Sequence, residues 1–209
     1  MSSGHPTKEM LDAYALGTAP EGEALLVAAH ATYCAACRAA IARRERLAGA
    51  ALAGGPFGPM RPGALDTVMG RLDDQESPVA VRGGDGMLPA PIVAVAGRFD
   101  TLRWRFVMPG VSKVDIPVAG DEAVTLLRVR PGCGVPQHTH TAQEATLVLS
   151  GALRDRGRVY RRGDVAVATD DDDHTPSAEP GADCVCLAVL SGALRFTGAF
   201  GRALNMFAQ

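Results

Sequence analysis

The sequence predicts an α+β protein of two domains, a helical N-terminal unit and an all-β C-terminal unit, on three observations. Apolar residues recur with a helical period through residues 1–76. Residues 77–91 carry Ser77-Pro78, Gly83-Gly84-Asp85-Gly86 and Pro89 with few bulky side chains, which is linker composition. Short β-rich runs separated by Gly- and Pro-containing turns then fill residues 92–197, the pattern of a sandwich or barrel. A chain of 209 residues is long enough for two such units, each with a modest core.

In order along the chain, Pro6-Thr7 precedes the amphipathic run Lys8 to Leu16, with Met10, Leu11, Tyr14 and Ala15 on one stripe and Gly17 as the stop. Pro20, with Glu21 and Glu23 suited to a helix N-terminus, opens a second helix whose pattern continues through Leu25, Leu26, Ala29 and His30. Ala35 to Leu52 gives a third. After the breakers Gly54-Gly55-Pro56-Phe57-Gly58-Pro59, Pro62 opens a short fourth helix through Leu65, Val68, Met69 and Leu72, completing a four-helix bundle. The predicted strands are Ile92 to Val95, Trp104 to Val107, Val124 to Val129, Thr146 to Leu149, Val159-Tyr160, Val165 to Ala168 and Cys184 to Leu190. Residues 198–209 form a C-terminal tail expected to pack back on the β unit.

A net charge of −2 with scattered Lys and Arg points to no nucleic-acid partner. The one dense basic group, Arg43-Arg44-Glu45-Arg46, reads as a solvated helix face, so direct DNA binding is not expected. Met1 to Leu11 is polar and contains a proline, unlike a signal peptide, and no run approaches the ~20 apolar residues of a bilayer span. A cytoplasmic location with no membrane partner is the expectation. The cysteine count, five, is odd, and in a reducing compartment metal binding or redox sensing explains such residues better than a disulfide framework.

All five histidines fall in two metal-ligand constellations. In His30-x3-Cys34-x2-Cys37 the first two side chains lie one helical turn apart and the last two have zinc-knuckle spacing. If the helix breaks near Thr32-Tyr33, the cysteine pair opens the next helix, whose dipole favours thiolates. His5 is the natural fourth ligand, and four protein ligands make a closed, structural zinc site. Together with His5-Pro6-Thr7, Glu9, Leu11, Tyr14 and Gly17, this element resembles the zinc-binding anti-sigma domain of the ChrR group over residues 1–76. The resemblance implies that four helices wrap around an extracytoplasmic-function sigma factor and occlude the surfaces that bind core RNA polymerase, in a one-to-one complex.

Gly132-x5-His138-x-His140-x3-Glu144-x6-Gly151 resembles the first cupin motif with every spacing intact. On a strand His138 and His140 point to the same side, so both imidazoles enter a barrel interior that Glu144 joins after a turn. The second cupin motif implies a further histidine, here His174, although Asp170 to Asp173 replaces the usual Pro-x-Gly turn and reads as a solvated acidic loop. The resemblance thus implies a jelly-roll barrel over residues 92–197. Three nitrogens and one oxygen suit zinc, iron(II), manganese, nickel or copper, and the ChrR group implies zinc in both sites. Cys184 and Cys186 share one strand face, either as oxidation sensors or as buried core thiols, and Cys133 is a further open candidate.

The leading reading is a regulatory binding protein and not an enzyme: the helical unit sequesters a sigma factor, and the cupin unit, through a flexible linker, receives an oxidative signal. For the ChrR group that signal is singlet oxygen or a related oxidant. The alternative is a metal-dependent cupin enzyme such as a dioxygenase, with Tyr160 or Arg128 as pocket residues.

Overall fold

The computed structural model describes residues 4–56, 58–72 and 83–198. Helix α1 (Lys8–Ala15) is capped by the Thr7 hydroxyl, which accepts the Met10 N–H at 3.2 Å, and it buries Met10 and Leu11. Helix α2 (Glu21–Tyr33) is apolar on several sides at once, with Leu25, Leu26, Val27, Ala29 and His30 all buried. A helix buried that widely is covered from more than one direction. Helices α1 and α3 (Ala35–Ala53) lie on one side of it and the β unit on another.

Two expectations are corrected here. Helix α4 (Ala64–Gly70) buries no residue, so among the described residues α1 to α3 pack together and α4 does not complete a four-helix bundle. The run Ile92 to Val95 is not a strand but lies in a helix, α5 (Ala90–Ala96). Pro89 caps that helix and Pro91 sits in its first turn, where the fixed φ and missing N–H are tolerated. Burial of Ile92 and Val93 in the shared core overrides their β preference.

The part of the proposed linker within the described residues is folded. The Asp85 carboxylate accepts N–H bonds from Met87 (3.0 Å), Leu88 (2.7 Å) and Phe99 (2.6 Å), and Leu88 is 1% exposed. Residues 77–82 of that linker and residues 199–209 of the tail lie outside the described residues.

The strands are β1 (Arg105–Met108), β2 (Val111–Ile116), β3 (Ala123–Val129), β4 (His138–His140), β5 (Glu144–Ser150), β6 (Ala152–Asp155), β7 (Arg158–Arg161), β8 (Val165–Ala168), β9 (Ser177–Ala178), β10 (Cys184–Leu190) and β11 (Leu194–Phe196). They form a six-stranded sheet in the order β1-β2-β3-β10-β5-β8, a three-stranded sheet β7-β6-β9 and a pair β11-β4. Every pairing is antiparallel.

The period of two along β10 sets the interior. Cys184 and Cys186 face a cluster with Val129, Val148 and Tyr160, inside the β unit. Val185, Leu187 and Val189 face the other way, into a core that also holds Leu25, Leu26 and Ala29 of α2 and Ile92 of α5. The helical and β regions therefore share one hydrophobic core and are not joined only by a flexible linker. Gly22 permits the close approach: a Cβ there would meet Val124 Cγ2 at 2.5 Å. Beside it Glu122 Oε2 accepts the Gly22 and Glu23 N–H groups at 2.8 and 3.2 Å, supplying the cap that Pro20 lacks. Among the described residues no helix is long and apolar enough to cross a membrane.

Candidate metal centres

The N-terminal constellation closes up in space. His5 Nδ1 lies 3.5 Å from each of His30 Nε2, Cys34 Sγ and Cys37 Sγ. The local fold follows from the sequence: α2 ends at Tyr33, and Cys34, in extended conformation, becomes the N-cap of α3 with its sulfur accepting the Cys37 N–H at 3.4 Å. The thiols thus stand at a helix N-terminus, as their spacing predicts. His30 is buried, and burial holds its pKa below the ordinary histidine value, which keeps the ring neutral and able to donate a lone pair. Burial and the neighbouring Cys34 sulfur push the Cys37 thiol up to about 11. This donor set of two thiols and two imidazoles fits zinc.

The C-terminal constellation also closes. One ligand atom from each of His138, His140, Glu144 and His174 lies within 4.8 Å of the others. Strand β4 points both of its histidines inward, and β5 begins with Glu144. The loop to His174 is fixed by a two-way backbone bridge to His138, at 3.0 and 2.9 Å, so the missing Pro-x-Gly turn does not displace the ring. The acidic run is solvated as its composition suggests, with Asp170, Asp171 and Asp173 exposed, but two of its carboxylates are tied to neighbours. Asp172 pairs with Arg156 and accepts the Thr169 N–H at 2.8 Å, while Asp173 accepts from Gln137 (2.9 Å) and Thr197 (2.7 Å).

The ring nitrogens report what the site lacks in protein partners. His138 Nδ1 is held by the Pro136 carbonyl at 2.7 Å and His174 Nδ1 by Asp155 Oδ1 at 2.9 Å, which turns each Nε2 toward Glu144. His174 Nε2 is buried with no hydrogen-bond partner. His140 Nε2 approaches Glu144 Oε2 to 2.7 Å without hydrogen-bond geometry, so neither nitrogen of that ring is satisfied. Each orphaned buried group costs about 1–3 kcal/mol, and a divalent cation among these atoms removes the cost. Burial opposes ionisation of Glu144, but His138 and His140 outweigh it and hold its carboxyl well below the usual range.

A cavity of about 180 Å³ runs through the β unit beside this cluster, walled by Leu127, Val129 and Phe196 together with Glu144, His174 and Cys186. Cys184 Sγ and Cys186 Sγ lie 3.4 Å apart and both residues are buried. The adjacent Cys184 sulfur and burial push the Cys186 thiol far above its ordinary value, so it is protonated at neutral pH. Cys133 is half-buried against the interior cluster. Of the pocket residues considered for an enzyme, Arg128 pairs with Asp183 at 2.6 Å, Tyr160 is buried in the interior cluster, and neither lines the cavity.

The ChrR cupin-like domain family matches residues 93–194, and a zinc-finger family matches residues 6–38, starting one residue after His5. The anti-sigma-E factor ChrR of Cereibacter sphaeroides is 36% identical to this chain over 205 residues, 97% of this chain and 96% of that protein. This chain belongs to the ChrR family of anti-sigma factors. The crystal structure of Rhodobacter sphaeroides SigE in complex with the anti-sigma ChrR superposes with a TM-score of 0.80 at 34% identity, covering 90% of this chain and 98% of the matched one. The layout of ChrR, a helical N-terminal region and a cupin sheet domain, is thus the layout of this chain. The zinc-finger match together with the His5, His30, Cys34 and Cys37 cluster supports zinc at the N-terminal site.

Asp155, which holds His174, was not legible in the sequence. Asp155-Arg156-Gly157-Arg158 forms the tight turn between β6 and β7, with φ of 46° at Arg156 and 75° at Gly157. The carboxylate's partner His174 is 19 residues away, so nothing local marks its second task. Glu122 and Gly163, both of which contact α2, carry no local signal either, because their partners are about a hundred residues away or more.

Proposed function

We propose that this protein is an anti-sigma factor that binds and inhibits an extracytoplasmic-function sigma factor in a one-to-one cytoplasmic complex. The observation that carries this reading is the 36% identity to an anti-sigma-E factor across nearly the full length of both chains. His5, His30, Cys34 and Cys37 hold zinc, which fixes the turn between α2 and α3 in a region too short to be stabilised by its own core. Of the large apolar residues exposed among the described residues, Leu47, Leu52, Met60, Leu65, Val68, Met69 and Leu72 all fall between residues 47 and 72, in α3, α4 and the segments beside them. Exposed apolar side chains in this number are left for a protein partner, and on this reading the sigma factor covers them, with α4 joining the other helices around it.

His138, His140, Glu144 and His174 hold a second divalent ion, for which the ChrR resemblance implies zinc. That ion would supply a Lewis-acidic centre on the cavity wall. The cupin unit receives an oxidant, singlet oxygen or a related species, at this cavity, and so relieves inhibition of transcription. The dioxygenase reading is weaker, because Tyr160 and Arg128, the pocket residues it names, stand outside the cavity and the full-length relative is a regulator.

Co-expression with an extracytoplasmic-function sigma factor from the same genome, followed by co-purification and metal analysis, tests the proposal. A one-to-one complex with two zinc ions per anti-sigma chain is expected. Iron in the barrel and turnover of an organic substrate, with no stable complex, would overturn it.

A further inference from the structure

Each buried histidine of the barrel cluster that has an outer partner finds it inside the barrel: His138 in Pro136, His174 in Asp155. His30 does not follow that pattern. Its Nδ1 lies 2.7 Å from the carbonyl oxygen of Gly163, in the turn between β7 and β8 and 133 residues away. A carbonyl only accepts, so this bond puts the hydrogen on Nδ1 and leaves the lone pair on Nε2, the nitrogen that faces His5.

The same turn touches the rest of the N-terminal cluster. Val165 N–H donates to the carbonyl of Gly4, next to His5, at 3.1 Å. The Arg162 guanidinium lies 5.3 Å over the ring of Tyr33, next to Cys34. Gly163 has a φ of +91°, and a Cβ there would stand 3.0 Å from Tyr33 Cβ, so glycine alone fits both the backbone and the contact.

On its other side the turn is bonded to the strand that carries Glu144. Gly163 N–H donates to Val148 O at 2.8 Å, and Val148 N–H to Asp164 O at 3.0 Å. Val148 and Glu144 are four residues apart on β5, about 13 Å at ~3.3 Å per residue.

We propose that residues 162–165 of the barrel are the outer support of the N-terminal metal site: the Gly163 carbonyl positions His30, so the barrel sets how firmly the helical region holds its ion. The support itself stands on geometry. Its regulatory meaning, that a change at β5 reaches the sigma-binding helices through this turn, rests on the function proposed above.

The test uses the full chain and the Gly163→Ala variant, with Gly157→Ala as control. Gly157 has the same kind of backbone, φ +75°, and nothing within 4 Å of an added Cβ. Cobalt(II) is titrated in and displaced by zinc, read at the thiolate-to-cobalt absorption that only the cysteine-containing site produces. Gly163→Ala is expected to weaken this site by about 10–100-fold while Gly157→Ala leaves it unchanged. Equal affinities in the two variants would overturn the proposal. Should Gly163→Ala fail to fold, ring-nitrogen NMR of the unmodified zinc-loaded chain decides: a hydrogen on His30 Nδ1 supports the assignment and one on Nε2 overturns it. A Gly163→Ala chain that loses zinc yet binds the sigma factor normally supports this support role and contradicts the functional reading.

Discussion

The two candidate metal sites each gather four side chains, but they differ in what holds them in place. The barrel cluster sits on strands and a backbone-bridged loop, and its outer partners Pro136 and Asp155 belong to the same region. The helical cluster sits at a helix end and a helix start, with its buried histidine held by a residue of the other region. One site is self-supporting and the other borrows its support. The helical region also borrows its core, because α2 is covered by the sheet and by α5. On the function proposed above, the region that binds the partner is completed by the region that receives the signal, so the two parts need no separate wire.

Substitution in the shared core tests whether this dependence is energetic. Leu26 is 0% exposed and lies in the core common to helices and sheet, so Leu26→Ala is expected to cost about 2–5 kcal/mol. Helical circular dichroism and Trp104 fluorescence should lose structure together in chemical denaturation. Two separated transitions, with only the helical one shifted, would break the claim of one core.

The self-supporting character of the barrel site is probed at Asp155. Removing it in Asp155→Ala should lower metal affinity in the barrel by about 10–100-fold and leave the cysteine-containing site as it was. Metal analysis after graded chelation reads both. Loss from the helical site instead would reverse the comparison.

A smaller effect is expected at Glu122, the carboxylate that the sheet lends to the start of α2. Glu122→Ala should cost about 0.5–2 kcal/mol, with faster amide exchange at Gly22 and Glu23 and little change around His138. Unchanged exchange at both amides would make this contact incidental.

The smallest concerns Asp85. Burial works against its ionisation, but N–H bonds from Phe99, Leu88 and Met87 win and hold its pKa below the ordinary value. A carboxylate depressed in the folded state adds stability that is complete above the unfolded pKa of about 3.9 and is lost as pH falls through the lower folded value. The stability gap between wild type and Asp85→Asn, about 0.5–1.5 kcal/mol near neutral pH, should therefore shrink below about pH 4. A gap that stays constant down to pH 3 would contradict the assigned role.

The sequence made the two regions and the two side-chain clusters readable because both obey local rules. His30, Cys34 and Cys37 follow helix and cap spacing, and His138 and His140 follow strand alternation. The strands at Val165 to Ala168 and Cys184 to Leu190 emerge with the bounds their apolar runs predict. What was not readable depends on contacts between distant residues. Ile92 and Val93 look like strand residues until α2 and the sheet bury them, and Gly84-Asp85-Gly86 looks like linker until Asp85 collects three N–H groups. The fourth helix was readable as a helix, but its packing was not, since its apolar residues are exposed among the described residues.

The central claim is that the N-terminal zinc site builds the sigma-binding surface. Isothermal titration of an extracytoplasmic-function sigma factor from the same genome into the zinc-loaded full chain, and into its Cys34→Ala variant, tests it most directly. One-to-one binding by the wild type, and none by a variant that has lost the helical zinc while keeping the barrel metal, is the predicted result. Equal affinity in a Cys34→Ala chain shown to lack that zinc would contradict it.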